Sequence, residues 1–336
     1  MVTYLKMTEI FQQLYQQQYL SRAQARDTLL AITQGKYEAV EVAAFLSIFN
    51  MRGISIDELK GFRDALLSVC RPLDLSAYNA IDVCGTGGDG KHTFNISTLS
   101  AFVVAGSGVP VVKHGNYGVS SVSGSSNVME CLGISFQQSE EGLKRQLDEA
   151  NICFIHAPYF NPGMRTVAAI RKQLGFKTFF NMLGPLINPA QPKYQLVGLY
   201  DLDLMRMYQY IFQDESKQFS LVHSVDGYDE ISLTADFKCI RNTGEHYYSI
   251  RELGTPCIKA SDLYGGNSVA EAAAIFMNIL KGRGTAAQNE VVIINSAFAI
   301  QTVEPGLDLE AAKSIARLSL EGGHALYQFN QLKKIP

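Results

Sequence analysis

Near residue 80 the spacing of apolar positions along the chain changes period. Before it, "MTEIFQQLYQQQYL" repeats apolar residues every three and four positions, "SRAQARDTLLAIT" offers Ser21 as an N-cap, and "SIDELKGFRDALLSVC" sets Ser55 three residues before Glu58 as a capping box. These patterns predict an all-helical start over residues 1–70. Beyond 80, "AIDVC" reads as a short buried strand, a glycine loop follows, "STLSAFVVAGSG" reads as a helix closed by glycine, and "VPVVKHG" as a second strand. Strand, helix and strand in that order form a βαβ unit, with a parallel pair and a right-handed crossover.

Further strands are predicted at "ICFIHA", "YQLVGLY", "FSLVHS" and "EVVIINSAFAI", and helices over 138–150, 163–174, 202–213, 268–281 and 309–322. The alternation predicts an α/β fold with a mostly parallel sheet. The proline-rich "LGPLINPAQP", 183–192, is the candidate linker or ordered crossing between domains.

Composition narrows the class. With 336 residues, 47% hydrophobic and 18% charged, the chain can bury a sizeable core in about two domains, at roughly 150 residues each. Lys plus Arg (29) against Asp plus Glu (32) gives a formal net charge of -3, so no overall basic excess draws it to nucleic acid or an anionic membrane. Any anion binding must be local. The opening residues mix charges and glutamines into apolar positions, unlike a signal peptide, and apolar stretches such as 101–112 are broken by Gly and Pro and too short to span a bilayer. The expectation is a cytoplasmic protein. Six cysteines (70, 84, 131, 153, 239, 257) show no CxxC and no zinc-type Cys/His spacing, so most are expected to be reduced and buried.

Against that background, "VCGTGGDGKHTFNIST", 83–98, puts four glycines into six positions and follows them with Thr93, Asn95, Ser97 and Thr98. Between a strand and a helix, such a loop meets free N–H groups and the positive end of the helix dipole. Gly85, Gly87, Gly88 and Gly90 let the backbone approach an anion, and the polar side chains can donate to phosphate oxygens or orient a metal's water. The spacing is neither a GK[ST]-ending P-loop nor GxGxxG. Taken alone, the stretch leaves open a phosphate cradle and a plain glycine turn.

A second cluster, "KHGNYGVSSVSGSSNVMECLG", 113–133, follows the next strand, with Lys113 and His114 at the strand end and serines at 120, 121, 123, 125 and 126 before Asn127, a candidate N-cap. Adjacent polar loops suit a ligand with two separated phosphate groups; singly, a solvated serine loop and a structural histidine remain alternatives. In the helix after "NPGM", Met164, Val167, Ala168, Arg171 and Leu174 form one stripe, so Arg171 lies on the apolar face while Arg165 points about 120° away. Arg171 is then a fork for a ligand carboxylate, a partner of a structural acid, or a snorkelling side chain. In "VHSVDGYDEISL", 222–233, Asp229 and Glu230 offer oxygens for Mg²⁺ facing a polyphosphate, or sit on a hairpin tip.

Together these residues resemble the anthranilate phosphoribosyltransferase family of tryptophan biosynthesis. The matching motifs are GTGGDG with TxNIST (85–98), KHGN with the serine loop (113–124), "RKQLGFKTFFNMLGPLINP" (171–189), DGYDEIS (226–232) and "MRGISIDELKGFRDAL" (51–66), and the likeness runs from about residue 5 to "VVIINSAFAIQ". The resemblance implies a small helical domain (1–74, with helices contributed by 160–190) and a large α/β domain (75–336), a fold shared with pyrimidine nucleoside phosphorylases, and a homodimer formed through the helical domain.

The implied donor is 5-phosphoribosyl 1-diphosphate, held by Gly85, Gly88, Asp89, Thr93, Asn95, Ser97, Thr98, Lys113, Ser121 and Ser125. Mg²⁺ is implied on Ser97, Asp229 and Glu230, and anthranilate at Gly85, Asn116 and Arg171, with Arg171 on its carboxylate. No acid or base is assigned; His114 is the one candidate to assist, and the sequence does not show that it does. Tyr117 stands where the family commonly has Arg, and Asn161 where it commonly has His. The rival readings are a pyrimidine nucleoside phosphorylase and a non-catalytic paralogue binding nucleotides or nucleic acid.

Overall fold

Seven strands form one sheet in a computed structural model of the chain, which describes residues 6–118, 122–137, 139–255 and 257–336. They are β1 (Ile81–Gly85), β2 (Val111–Gly115), β3 (Ile152–His156), β4 (Tyr194–Gly198), β5 (Gln218–Ser224), β6 (Phe237–Arg241) and β7 (Gly244–Tyr248), in the order β3-β2-β1-β4-β5-β6-β7. The first five pair in parallel, and β6 and β7 extend the sheet as an antiparallel hairpin. From β1 the chain builds outward to β2 and β3, then returns to place β4 and β5 on the other side. The β1/β4 junction is therefore the topological switch point, where open α/β sheets form a crevice beyond their carboxyl ends.

Two compact units divide the chain: Met1–Leu73 with Ala157–Pro189, and Asp74–His156 with Ala190–Pro336. The first is helical. Ser21 caps Arg22–Thr33, its side chain accepting from Gln24 N, and the Ser55 and Glu58 capping box opens Ile56–Val69. The core of this unit is aromatic: Phe62 stacks on Phe179 with ring centroids 4.2 Å apart, and Phe45 and Phe49 stand edge-on to both. Glu58, fully buried, accepts from Arg52 Nη2 (2.7 Å), Leu20 N (2.9 Å) and Ser55 N (2.8 Å), so its charge is paired rather than left bare.

In the second unit the predicted strands β1 to β5 and the helices between them are present, but one predicted strand is a helix. "EVVIINSAFAI" is not a strand: it lies inside the helix Ala286–Val303, whose residues Val291–Thr302 are all buried. That helix packs against the helices Ile96–Gly106 and Leu309–Glu321 and against β4 and β5, so it has no polar face and shows no 3.6-residue period. Its overlooked signal is Thr285 three residues before Gln288, a capping box. Asn127 is likewise not an N-cap. The helix Ser125–Cys131 starts after Gly124, and Asn127 Oδ1 accepts from Gly124 N and Gly118 N. The hairpin of β6 and β7 and the helix His324–Lys334 are additions that the sequence pattern does not announce. All six cysteines are free, with Cys131 and Cys257 exposed rather than buried.

Candidate active site

Gly85 ends β1 and pairs in register with Gly198, which ends β4. A Cβ on either would collide with Asp229, at its carboxylate from Gly85 and at its main-chain carbonyl from Gly198. The two glycines thus let the Asp229 segment lie directly on the switch point. Beyond Gly85 the loop turns through Gly87, Gly88 and Gly90, with φ of +65°, +77° and +74°, backbone states that side-chain-bearing residues rarely adopt. The Gly87 amide donates to Asp229 Oδ2 at 2.6 Å. One step along, the Ser97 amide, in the first turn of Ile96–Gly106, donates to Glu230 Oε1 at 3.3 Å.

Three carboxylates meet here. Burial raises the pKa of Asp229, and the charge of nearby Asp89 raises it further; burial, Asp229 and Asp89 together raise Glu230. Asp89 Oδ1 accepts from Lys91 N at 2.9 Å, while its Oδ2 is buried and meets no N–H donor among the described residues. Lys113 is also buried and contributes a compensating charge to Glu230. Its Nζ donates to the Val83 carbonyl at 2.7 Å, and burial lowers its pKa against the opposing pull of Asp82. Such a cluster is short of positive charge. Among the described residues no three His, Cys, Asp or Glu side chains form a preformed metal cage. The donor set fits Mg²⁺, which binds through one or two carboxylates and takes its other oxygens from phosphate and water.

Asn95 sits at the N-cap position of Ile96–Gly106 and its Nδ2 donates to the Ser123 carbonyl at 3.4 Å, which ties the glycine loop to the serine loop. Thr98 is buried in the first helical turn and Thr93 bridges to Tyr264. The Asn116 carbonyl accepts from Ser126 N (3.1 Å) and Ser125 Oγ (3.4 Å), and its Oδ1 accepts from Tyr117 N (2.8 Å). The His114 amide donates to Asp82 Oδ1 at 3.3 Å. Ser121 lies outside the described residues. A cavity of about 520 Å³ opens beside the glycine loop, lined by Gly90, Lys91, Thr93, Tyr228 and Tyr264 among others, with the Lys91 ammonium 4.6 Å from the Tyr228 ring centroid.

Two residues that shape these loops are absent from the sequence reading. His156, at the end of β3, has Nδ1 2.9 Å from Ser126 Oγ, stacks on Phe136 and takes the edge of Tyr117; burial lowers its pKa to about 4, which leaves it neutral near pH 7. Asn295 donates to the Ile231 carbonyl (2.8 Å) and accepts from Ile231 N (3.1 Å), clamping the residue next to Glu230. Its signal, one Asn within an apolar run, is hidden as long as that run reads as a strand.

Arg171 belongs to the helical unit, in Gly163–Leu174. It is half-buried, whereas Ala168 of the predicted stripe is exposed and Arg165 donates to the Pro158 carbonyl at the surface. The Arg171 guanidinium lies 5.1 Å from the Phe180 ring centroid and donates from Nη2 to Asn181 Oδ1 at 3.3 Å; burial lowers its pKa. Asn161, near the start of that helix, is buried.

The chain belongs to the glycosyl transferase family: residues 77–326 match its α/β domain and residues 8–70 its helical bundle domain. An anthranilate phosphoribosyltransferase of Christiangramia forsetii is 51% identical over 98% of this chain and 99% of its own length. The crystal structure of anthranilate phosphoribosyltransferase from Thermus thermophilus superposes with a TM-score of 0.88 at 28% identity, covering 96% of this chain and 98% of that one. The Saccharomyces cerevisiae enzyme in complex with PRPP and Mg shares the fold, with a TM-score of 0.89 at 23% identity over 98% and 97% of the two chains. Within the glycosyl transferases, the chain belongs to the anthranilate phosphoribosyltransferases.

Proposed function

We propose that the protein transfers the phosphoribosyl group of 5-phosphoribosyl 1-diphosphate to the amine of anthranilate, giving N-(5-phosphoribosyl)anthranilate and pyrophosphate. The observation that carries the reading is the convergence of a positive-φ glycine loop and a buried, charge-deficient carboxylate cluster on the switch point of the sheet. The family relationship supplies the substrates.

In this reading the amides of 85–90 and the N-terminus of Ile96–Gly106 receive the diphosphate, with Asp89, Thr93, Asn95, Thr98, Lys113 and the serine loop, Ser121 and Ser125 included, completing the donor site. Asp229, Glu230 and Ser97 hold Mg²⁺, which when bound offsets the charge of the leaving pyrophosphate. Arg171 takes the acceptor's carboxylate, and Asn116 and Gly85 border the acceptor. The amine displaces pyrophosphate directly at ribose C1 and sheds its proton after attack, so no strong base is required.

The helical unit exposes Tyr15, Tyr19, Val40 and Met51, which fits pairing of two copies through this unit. Light scattering at several concentrations tests it, and a monomer throughout refutes it. Among the described residues no helix is long and apolar enough to cross a membrane, and the biosynthetic role proposed fits a cytoplasmic enzyme.

The activity is tested by following anthranilate fluorescence with purified protein, Mg²⁺ and 5-phosphoribosyl 1-diphosphate. Loss of signal that requires every component supports the reading. A flat signal, or cleavage of pyrimidine nucleosides by inorganic phosphate instead, overturns it.

A further inference from the structure

Asn181 sits where the aromatic core of the helical unit ends. Phe179 is locked between Phe62 and Phe49, and Phe180 is buried beside it, with their centroids 4.8 Å apart. That packing fixes the backbone leading into Asn181, whose amide donates to the Thr178 carbonyl at 2.9 Å. The side-chain oxygen then accepts twice, from Thr178 N at 3.2 Å and from Arg171 Nη2 at 3.3 Å. Both facing groups are donors only, so the amide has one satisfying orientation, with Oδ1 toward the guanidinium.

Arg171 is thus held against the Phe180 ring on one side and by a neutral oxygen at one nitrogen. Among the described residues no carboxylate pairs with it. The chemistry of the tether matters. An aspartate of the same shape at 181 would form a charge-assisted pair with Arg171 and compete with any incoming anion. An amide orients the guanidinium and leaves its full charge, and its remaining N–H groups, for a ligand.

We propose that Asn181 is a positioning residue for acceptor recognition: it aims Arg171 at the acceptor's carboxylate without neutralising it. The inference rests on the reading of Arg171 as the carboxylate fork.

The test compares anthranilate with aniline, which lacks the carboxylate, at saturating donor and at enzyme concentrations high enough to quantify the poorer acceptor. The proteins are wild type, N181D, N181A and R171A. N181D is expected to lose about tenfold or more in kcat/KM for anthranilate, carried by KM, while aniline use and KM for the donor stay unchanged. N181A is expected to show a smaller loss with the same selectivity, and it supplies the readout if N181D folds poorly. An equal fall for both acceptors, or no fall for anthranilate, overturns the proposal with Arg171 still in its role. If R171A itself does not discriminate between the acceptors, the underlying reading of Arg171 fails and the proposal falls with it.

Discussion

The Asp229 carboxylate accepts the Gly87 amide at 2.6 Å, joining residues 142 positions apart. The glycine loop and the carboxylate pair are therefore one device, and a change in one is felt in the other. Replacing Asp229 by Asn or Glu230 by Gln removes a charge and keeps the shape. Each variant is expected to raise the half-saturating Mg²⁺ concentration about tenfold or more, the scale of a charge-assisted contact of ~1.5–3 kcal/mol. A titration of activity against Mg²⁺ that matches wild type would remove that residue from the metal site.

The raised pKa values of Asp229 and Glu230 carry a pH dependence of known sign. The folded protein keeps protons that the unfolded chain releases near pH 4, so this contribution to stability is full below that range and is lost as pH rises through the raised values. His156, lowered to about 4, works the opposite way: its contribution is full above about 6.5, the unfolded value, and is lost as pH falls toward 4. The difference in melting temperature with and without Mg²⁺ separates the two, because only the carboxylates answer to the cation. That difference is expected to be larger at pH 8 than at pH 5.5. Equal shifts at both values would contradict the assignment.

Gly198→Ala brings a Cβ onto the Asp229 main-chain carbonyl, and Gly85→Ala brings one onto its carboxylate. Backbone yields less readily than a side chain, so Gly198→Ala is expected to destabilise more, by ~1–3 kcal/mol or above. Gly85→Ala is expected mainly to weaken donor binding in the presence of Mg²⁺. Thermal melting and equilibrium titration with the donor distinguish the two, and the reverse ranking would refute the packing account.

Asn295→Leu removes both hydrogen bonds to Ile231 and leaves a buried amide and carbonyl unsatisfied. The expected loss of stability is ~1–3 kcal/mol for the orphaned groups. A higher Mg²⁺ requirement is expected as well, because the clamp holds the residue next to Glu230. Urea unfolding checks the first expectation and the Mg²⁺ titration the second. A variant less stable but with unchanged Mg²⁺ dependence would make Asn295 a core residue only.

Local signals are legible where one side of an element faces water. The N-cap at Ser21, the capping box at Ser55, the Gly163–Leu174 helix and the glycine loop all show in a periodic pattern or in a cap or turn residue. The helix Ala286–Val303 escapes for the opposite reason: Val291–Thr302 are all buried, so its apolar residues have no period to reveal, and its β-branched content imitates a buried strand. At the candidate site, residue types can be read but not their partnerships. Nothing in "DGYDE" reports that Asp229 will lie on Gly85 and Gly198, and nothing in "FIHAP" reports that His156 will reach Ser126. Those contacts exist only once parallel strands bring distant loop ends to one edge.

The aromatic core of the helical unit draws on two stretches of chain, with Phe45 and Phe49 and Phe62 in the first and Phe179 in the second. During synthesis the first stretch leaves the ribosome long before its closing ring is made, since β1, β2 and β3 are translated in between. At ~5–20 residues per second the unit waits several seconds with phenylalanines uncovered. Separated at residue 73, this amino-terminal segment would lack the ring that closes its own core.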